Sequence, residues 1–429
     1  MIPFALVLYA VGSLTAMAPM NISFACVALA WVYVLSKKQM GSPDDETKNT
    51  VSRYFKYTVF LSIACTISIA ASYFWPYAYA GHNPSVNFHS FWKLWHLYTP
   101  FVLLSVFSYA FEHAQFRLSQ FIQASWLGLC VLSIVAIIQF FTGWPHAQIV
   151  PTSPQFFHAT LFFGHHLSTA SIIIFPCFMA LAVALGRKKI KPENHFLIKN
   201  LDAFAALAGV LILYFSFART AWLTLPMGLA LVFSKSFDKK KWIISGITIL
   251  LLAFALSFST AVQDRLSPKA GGVADRLQLW SINIDYFSHR PLTGIGFLKT
   301  NEMSEFYFKE HFPDSYRSKF WGHAHSNYFE MLGGTGLLGM IAYLAWVIFT
   351  VRCAYQISVR AKNTGFYFHS DLAWGIWAAL IVLHINGLTN VNFWEGKVLH
   401  QHLLAIGILL MISFEVGRLQ KLQNVSKTG

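Results

Sequence analysis

Three stretches of this chain carry residues suited to chemistry. The first is His323-Ala-His325-Ser-Asn327-Tyr-Phe-Glu330, directly before an apolar run that opens Gly-Gly-Thr-Gly-Leu-Leu-Gly. Histidine is the side chain best suited to exchange a proton near neutral pH, so a histidine where a loop enters an apolar run is a candidate general base. The His-x-His spacing also raises metal binding, but a metal site wants three or four ligands. His165 and His166 are the candidate third partners, and interfacial residues are the plainer account of them. The second stretch is Ser216-Phe-Ala-Arg219-Thr-Ala-Trp222, between two apolar runs. An arginine there is costly unless solvated or paired, which makes it a functional candidate; the competing account is a side chain snorkelling to an interface. The third is Arg276, at the start of a helical pattern, where taken alone a solvated surface charge is the commoner case.

These residues need elements to hold them, and composition says which kind. Of 429 residues, 55% are hydrophobic and 12% charged, against about 25% charged in a soluble domain. A soluble protein with this much apolar sequence would lack the charge to cover its surface. A membrane-spanning helix needs about 20 apolar residues. Twelve runs qualify, near 3–18, 21–36, 57–75, 97–112, 121–142, 167–186, 201–217, 220–234, 242–260, 333–351, 372–389 and 399–415. The pairs 3–18/21–36 and 201–217/220–234 also read as single long or broken helices. No basic segment precedes the first run, so it reads as a span rather than a cleavable signal. The five cysteines fall in or beside apolar runs without the spacing of a zinc site or disulfide framework, and read as small core residues.

Charge sets the orientation. With both ends inside, the segments 37–56, 113–119, 187–200, 235–241, 352–370 and the tail from 416 hold twenty-one of the 32 Lys and Arg residues. The short outside segments hold only Lys93, Arg219 and Lys397. That asymmetry is the positive-inside pattern, and it makes the basic balance a topology signal rather than a nucleic-acid surface. The chain divides into membrane helices over 1–260, an outer loop over 261–332, and membrane helices plus a tail over 333–429. Within the loop, apolar residues at 277, 280, 284 and 287 predict a helical face, with Arg276 just off its N-terminal end. A turn-rich stop follows at Pro291, Gly294 and Gly296. The expected fold is all-α, a polytopic membrane bundle of about 12 spans with one helical outer loop.

The three stretches then share the outer side. Two arginines suit a phosphate or diphosphate, because the guanidinium fork matches phosphate oxygens and stays charged. A histidine beside them suits activation of a hydroxyl. Together they point to transfer from a lipid-linked diphosphate donor.

In order along the chain, Ser-Phe-Ala-Arg-Thr-Ala-Trp, Asp-Arg-Leu-Gln-Leu-Trp…His-Arg-Pro-Leu-Thr-Gly-Ile-Gly-Phe and His-Ala-His-Ser-Asn-Tyr-Phe-Glu-Met-Leu-Gly-Gly-Thr-Gly-Leu-Leu-Gly resemble the O-antigen ligase family. The wider superfamily includes O-antigen polymerases and protein O-oligosaccharyltransferases. The motifs span about 213 to 340; the first half of the chain matches only in hydropathy. The resemblance implies a GT-C-like glycosyltransferase of the bacterial inner membrane, with an active site facing the periplasm. It would perform inverting transfer without metal or other cofactor. Its donor would be a glycan on undecaprenyl diphosphate, and its acceptor a hydroxyl of lipid A–core oligosaccharide. On matching positions, Arg219 and Arg276 would hold the diphosphate. His325 would be the general base, with His323 tuning it. The family motif commonly runs His-Asn, whereas here Ser326 intervenes, which leaves the role of Asn327 and the choice between the two histidines open. Asn327, Arg290 and Lys93 are further candidate substrate contacts. Lys93 lies with Trp92, Trp95 and His96 on an aromatic-basic segment that also reads as an ordinary interfacial belt. The compact single loop favours the ligase within the superfamily. The rival class, a transporter or flippase, would show ionisable residues inside several spans and paired broken helices.

Overall fold

The computed structural model describes residues 1–37, 43–77, 89–145, 149–150, 153–186, 196–235, 272–311 and 322–428. Its helices are α1 (Ile2–Gly12), α2 (Met17–Lys37), α3 (Asp45–Phe74), α4 (His89–His96), α5 (Thr99–Glu112), α6 (Leu118–Thr142) and α7 (His166–Gly186) in the first part. Then come α8 (Phe196–Phe215), α9 (Arg219–Phe233), α10 (Gly272–His289), α11 (Thr300–His311), α12 (Asn327–Asn363), α13 (Tyr367–Asn386) and α14 (Gly396–Thr428). Most are apolar on every side, because a helix in lipid satisfies its backbone internally and has no aqueous face to present. Among the described residues the β-structure is a two-stranded antiparallel ribbon, β1 (Ile149–Val150) with β2 (Ser153–Phe157).

This is a multi-pass membrane protein. Among the described residues, eight helices are long and apolar enough to cross a bilayer: α2, α3, Lys93–Glu112, α6, α7, α12, α13 and Gly396–Ser426. They coincide with eight of the twelve expected runs. Three others, near 3–18, 201–217 and 220–234, are shorter apolar helices. The run at 242–260 lies outside the described residues. Both ambiguous pairs are separate helices, α1/α2 and α8/α9. The break in the second is set by Phe217 at φ +54° and Ala218 as an extended N-cap.

Position in the bundle follows from cover. The apolar window of α14 is 89% buried and that of α2 only 28%, so α14 is a central pillar and α2 a peripheral one. α13 packs against α7 and α12, α7 against α8, α12 against α3, and α14 against α5. Cys65, Cys177 and Cys353 are buried in this packing, Cys26 and Cys130 half-buried, and all five are free thiols. The segments expected to lie on one side meet at one end of the bundle. Arg360 bonds Asp44 at 2.7 Å and Glu46 at 3.0 Å, Arg418 bonds Glu112 at 2.8 Å, and Lys235 bonds Asp371 at 2.8 Å.

The opposite end is built around a broken helix. Within α12, Gly336 leaves helical geometry at φ +62°, ψ −160°. A break frees backbone groups, and the turn-rich segment 291–296 takes them up. The Ile295 and Gly296 N–H groups donate to the Gly333 and Gly334 carbonyls at 3.1 and 2.9 Å. The Leu337 and Leu338 N–H groups donate to Pro291 and Leu292 at 2.8 and 3.3 Å. Ser68 of α3 adds a hydroxyl to the Gly334 carbonyl at 2.8 Å. Only glycine permits this approach. A Cβ on Gly294 would sit 2.3 Å from the Gly334 carbonyl carbon, and one on Gly336 2.5 Å from that of Leu292.

Above the break, α10 and α11 form a cap with its own small core of Tyr77, Leu279, Ile282, Tyr286, Ile295, Met303 and Phe308. α10 is helical over the expected stretch, and the face it buries is a different apolar one. Leu279, Ile282, Asn283 and Tyr286 are the buried positions, whereas Leu277 and Ile284 are 56% and 50% exposed. The helix has two apolar faces, and hydropathy alone does not say which one is covered. Arg276 also lies inside the helix, four residues past its first residue, rather than off its end.

Candidate functional site

The two histidines sit on a five-residue link, 322–326, between the cap and the half-helix that precedes the Gly336 break. Every part of this link is tied down. Ser304 donates to the Gly322 carbonyl at 3.0 Å, and the Trp280 indole N–H donates to the Ala324 carbonyl at 3.0 Å. The Ala324 N–H donates to Glu330 Oε2 at 2.8 Å, and the Thr300 hydroxyl donates to Glu330 Oε1. Trp280 also stacks on Phe329, with ring centroids 4.8 Å apart. Glu330 is therefore a buried bracket joining the cap helix α11 to the histidine link.

Inside this bracket His325 adopts φ +48°, a left-handed backbone that non-glycine residues rarely hold. Such strain persists only where surrounding structure enforces it, and it recurs at functional sites. The His325 N–H donates to His323 Nδ1 at 3.2 Å, and the two rings meet edge to face at 4.5 Å. Ser326 then caps α12 by accepting from the Phe329 N–H at 3.5 Å.

Asn327 has a different environment. It is fully buried. Its Nδ2 donates to Asn392 Oδ1 at 2.7 Å, and its Oδ1 accepts from the Asn392 and Phe393 N–H groups at 3.0 and 3.1 Å. Its own N–H donates to the Gly387 carbonyl at 2.8 Å. The side chain latches the loop between α13 and α14 against the start of α12.

That loop brings in residues distant in sequence. Lys93 donates to the Trp394 carbonyl at 2.9 Å and lies within electrostatic reach of Glu330 and Glu395. Glu395 accepts from the Ser168 hydroxyl, and Lys397 donates to the Phe163 carbonyl. His165 lies within reach of Glu395, Lys397 and His323. The structure thus gathers His323, Lys93 and His165 with two carboxylates, Glu330 and Glu395, that sequence reasoning did not place in a site. The sequence did show Glu330 at a fixed spacing from the histidines, but nothing in it connects position 395 to position 323.

The arginines enter from other elements. Arg276 is half-buried, one turn before the Trp280 that holds the histidine link. Arg219 is the first residue of α9; its side chain lies outside the described residues, as does that of Trp92. The backbone there is anchored by the Ala218 N–H to the Ser216 hydroxyl at 3.3 Å, and by a His158 Nδ1 contact to the Ser216 carbonyl at 3.0 Å. Five residues on, about 7.5 Å along the axis, Thr224 donates to Asn386 Oδ1 at 2.9 Å. Asn386 precedes the Gly387 that binds Asn327. Arg290 falls elsewhere, within electrostatic reach of Tyr77 in the cap. Burial and the neighbouring Asp285 push the Tyr77 phenol up to about 12. Among the described residues, no three His, Cys, Asp or Glu side chains are placed to hold a metal ion.

Fold and site together define a polytopic membrane protein with a clamped histidine pair at one end, two arginine-bearing helices leading to it, and a broken helix beneath. Residues 204–344 match the family model described as O-antigen ligase, so this stretch is that family's domain. It contains Arg219, Arg276, both histidines, Glu330 and the Gly336 break, while Lys93, His165 and Glu395 come from outside it. The family is one of enzymes that transfer lipid-linked glycans. No curated protein matches the chain.

Proposed function

We propose that this protein is an O-antigen ligase of the bacterial inner membrane. It transfers a glycan from undecaprenyl diphosphate to a hydroxyl of lipid A–core oligosaccharide on the periplasmic side. The observation that carries this reading is the bracketed, strained His325 within the matched family domain, with Arg276 one turn from the indole that holds its link. The periplasmic placement rests on the charge asymmetry, with the Lys- and Arg-rich segments at the end of the bundle away from the histidines. The twelve-span count belongs to the same reading.

In this reaction His325 takes the proton from the acceptor hydroxyl. The oxygen attacks the anomeric carbon from the face opposite the diphosphate, and the carbon–oxygen bond to the diphosphate breaks with its electron pair on the leaving group. The anomeric configuration inverts. Arg219 and Arg276 meet the charge that builds on the departing diphosphate, while the bundle orients two lipids that diffuse in the same membrane. His323, which accepts from the His325 N–H, sets the orientation of its neighbour. The latch formed by Asn327 makes it a positioning residue rather than a substrate contact. Lys93 remains a candidate acceptor contact, and Arg290 supports the cap.

The deciding experiment is deletion of the gene in its own host, with lipopolysaccharide run beside the undecaprenyl-linked pool. The expected outcome is bare lipid A–core with long glycan stranded on the carrier. Core bearing a single repeat would instead mean a polymerase. An unchanged ladder would send the function to protein glycosylation or transport.

A further inference from the structure

The second apolar face of α10 has no cover within the described chain. Leu277 and Ile284 are seven residues apart, so they fall within about 20° of each other on the helix, and both are at least half exposed. Leu292, just past the helix, is 62% exposed. Isolated exposed leucines are ordinary in proteins, but these three are not isolated. The Leu292 carbonyl accepts from Leu338, which seats it at the top of α12. There Leu337, Leu338 and Ile341 are 45%, 40% and 49% exposed, and Ile348, one heptad below Ile341, is 65% exposed. In a membrane span, that outward stripe is the lipid-facing one.

The rest of the helix agrees with an edge rather than a fully wet surface. Asp285 and Gln278 lie about 100° around from Ile284 and Leu277 respectively, on the side away from Trp280. Ser288, on the apolar edge, returns its hydroxyl to the Asp285 carbonyl at 2.7 Å, so it enters an apolar medium without an unmet donor. An apolar edge, a polar flank and continuity with a lipid-facing span are the marks of a helix lying in a membrane interface.

We propose that α10 lies in the membrane interface on the histidine side, with Leu277, Ile284 and Leu292 in contact with the hydrocarbon of that leaflet. The occupant of this face is bilayer lipid. The placement sets Arg276, the neighbour of Leu277, at headgroup depth, where the phosphates of a lipid lie. Membrane contact does not depend on what the enzyme transfers, and it is measured without turnover.

The test is cysteine labelling of the full chain in vesicles opened to reagent on both sides, normalised to protein denatured in SDS and corrected for the natural cysteines. Leu277→Cys, Ile284→Cys and Leu292→Cys should lose most of their reaction with a charged, membrane-impermeant maleimide. His289→Cys, on the polar flank with Asp285 and more than half exposed, should react fully. An apolar, membrane-permeant maleimide should restore labelling of the first three, which separates lipid contact from burial in protein. Leu292→Cys keeps the test open if a substitution within α10 disturbs the cap. Reaction of all four with the impermeant reagent at equal rates would overturn the proposal, as would silence of the three toward both reagents.

Discussion

A histidine at φ +48° is a costly place for a side chain unless the side chain is needed there. Loss of a general base slows a reaction about 10²–10⁴-fold. His325→Ala should therefore reduce transfer by that order in a purified, lipid-reconstituted assay, with insertion and thermal unfolding little changed. His325→Gly sharpens the comparison. Glycine adopts this backbone without penalty, so the variant should be at least as stable as the parent and equally inactive; near-parental activity in it would remove the base from His325. Arg276→Lys should retain partial activity at best, because an ammonium lacks the paired donors of the guanidinium. These residues were legible in sequence because chemistry-bearing side chains in apolar surroundings are conspicuous. Glu395 was not, because it is ordinary where it stands and comes near His165 and Lys93 only through tertiary packing; His165 was singled out in the sequence, but only the fold brings it within reach of His323.

The half-helix of α12 and the turn-rich segment at 291–296 form one unit, and its weakest points are the glycines. A side chain on Gly336 meets both a left-handed φ and the Leu292 backbone 2.5 Å away. Gly336→Ala should cost about 2 kcal/mol or more, lowering the unfolding midpoint in detergent and reducing transfer together. Asn327→Ala strands the Asn392 and Phe393 N–H groups, at about 1–3 kcal/mol for each buried donor left unpaired, and frees the loop carrying Glu395. A variant with parental stability and activity would show that the latch is dispensable. Sequence showed a glycine-rich start to a span and, separately, a turn-rich stop. It did not show that the two pair, because Gly336 is non-helical only with 291–296 beside it. The covered face of α10 was hidden for a similar reason: spacing at 277, 280, 284 and 287 marks a real apolar face, but the cap core occupies the other one.

Across the whole molecule, the end remote from the histidines is held by partly buried ion pairs. Removing Arg360 leaves Asp44, 14% exposed, without its cation. Breaking such a pair costs about 3–5 kcal/mol, which thermal unfolding of Arg360→Ala should register. Burial pushes the Asp44 carboxyl up, but contacts from Thr47 and Arg360 outweigh it and hold the group below the usual carboxylate range. A carboxylate lowered in the folded state adds stability above its unfolded pKa, about 3.9, and loses it as pH falls through the folded value. Asp44→Asn should thus be less stable than the parent at neutral pH, with the gap closing as pH falls below the ordinary carboxylate range. Equal stability of the two at neutral pH would contradict this. Span positions were legible at this scale because hydropathy marks them directly. The central place of α14 and the peripheral place of α2 were not, since both spans have the same mean hydropathy, 1.7, which does not say what covers them.

The pairing at the helix break also bears on how the chain is made. Residues 291–296 leave the ribosome before 333–338, so the segment that completes the break is already synthesised when the long span after it inserts. A chain permuted to deliver 333–338 first would have to place a helix with open carbonyls at the bilayer edge before their partners exist, at several kcal/mol for each unmet group. Natural chain order lets the break be closed as soon as it reaches its depth.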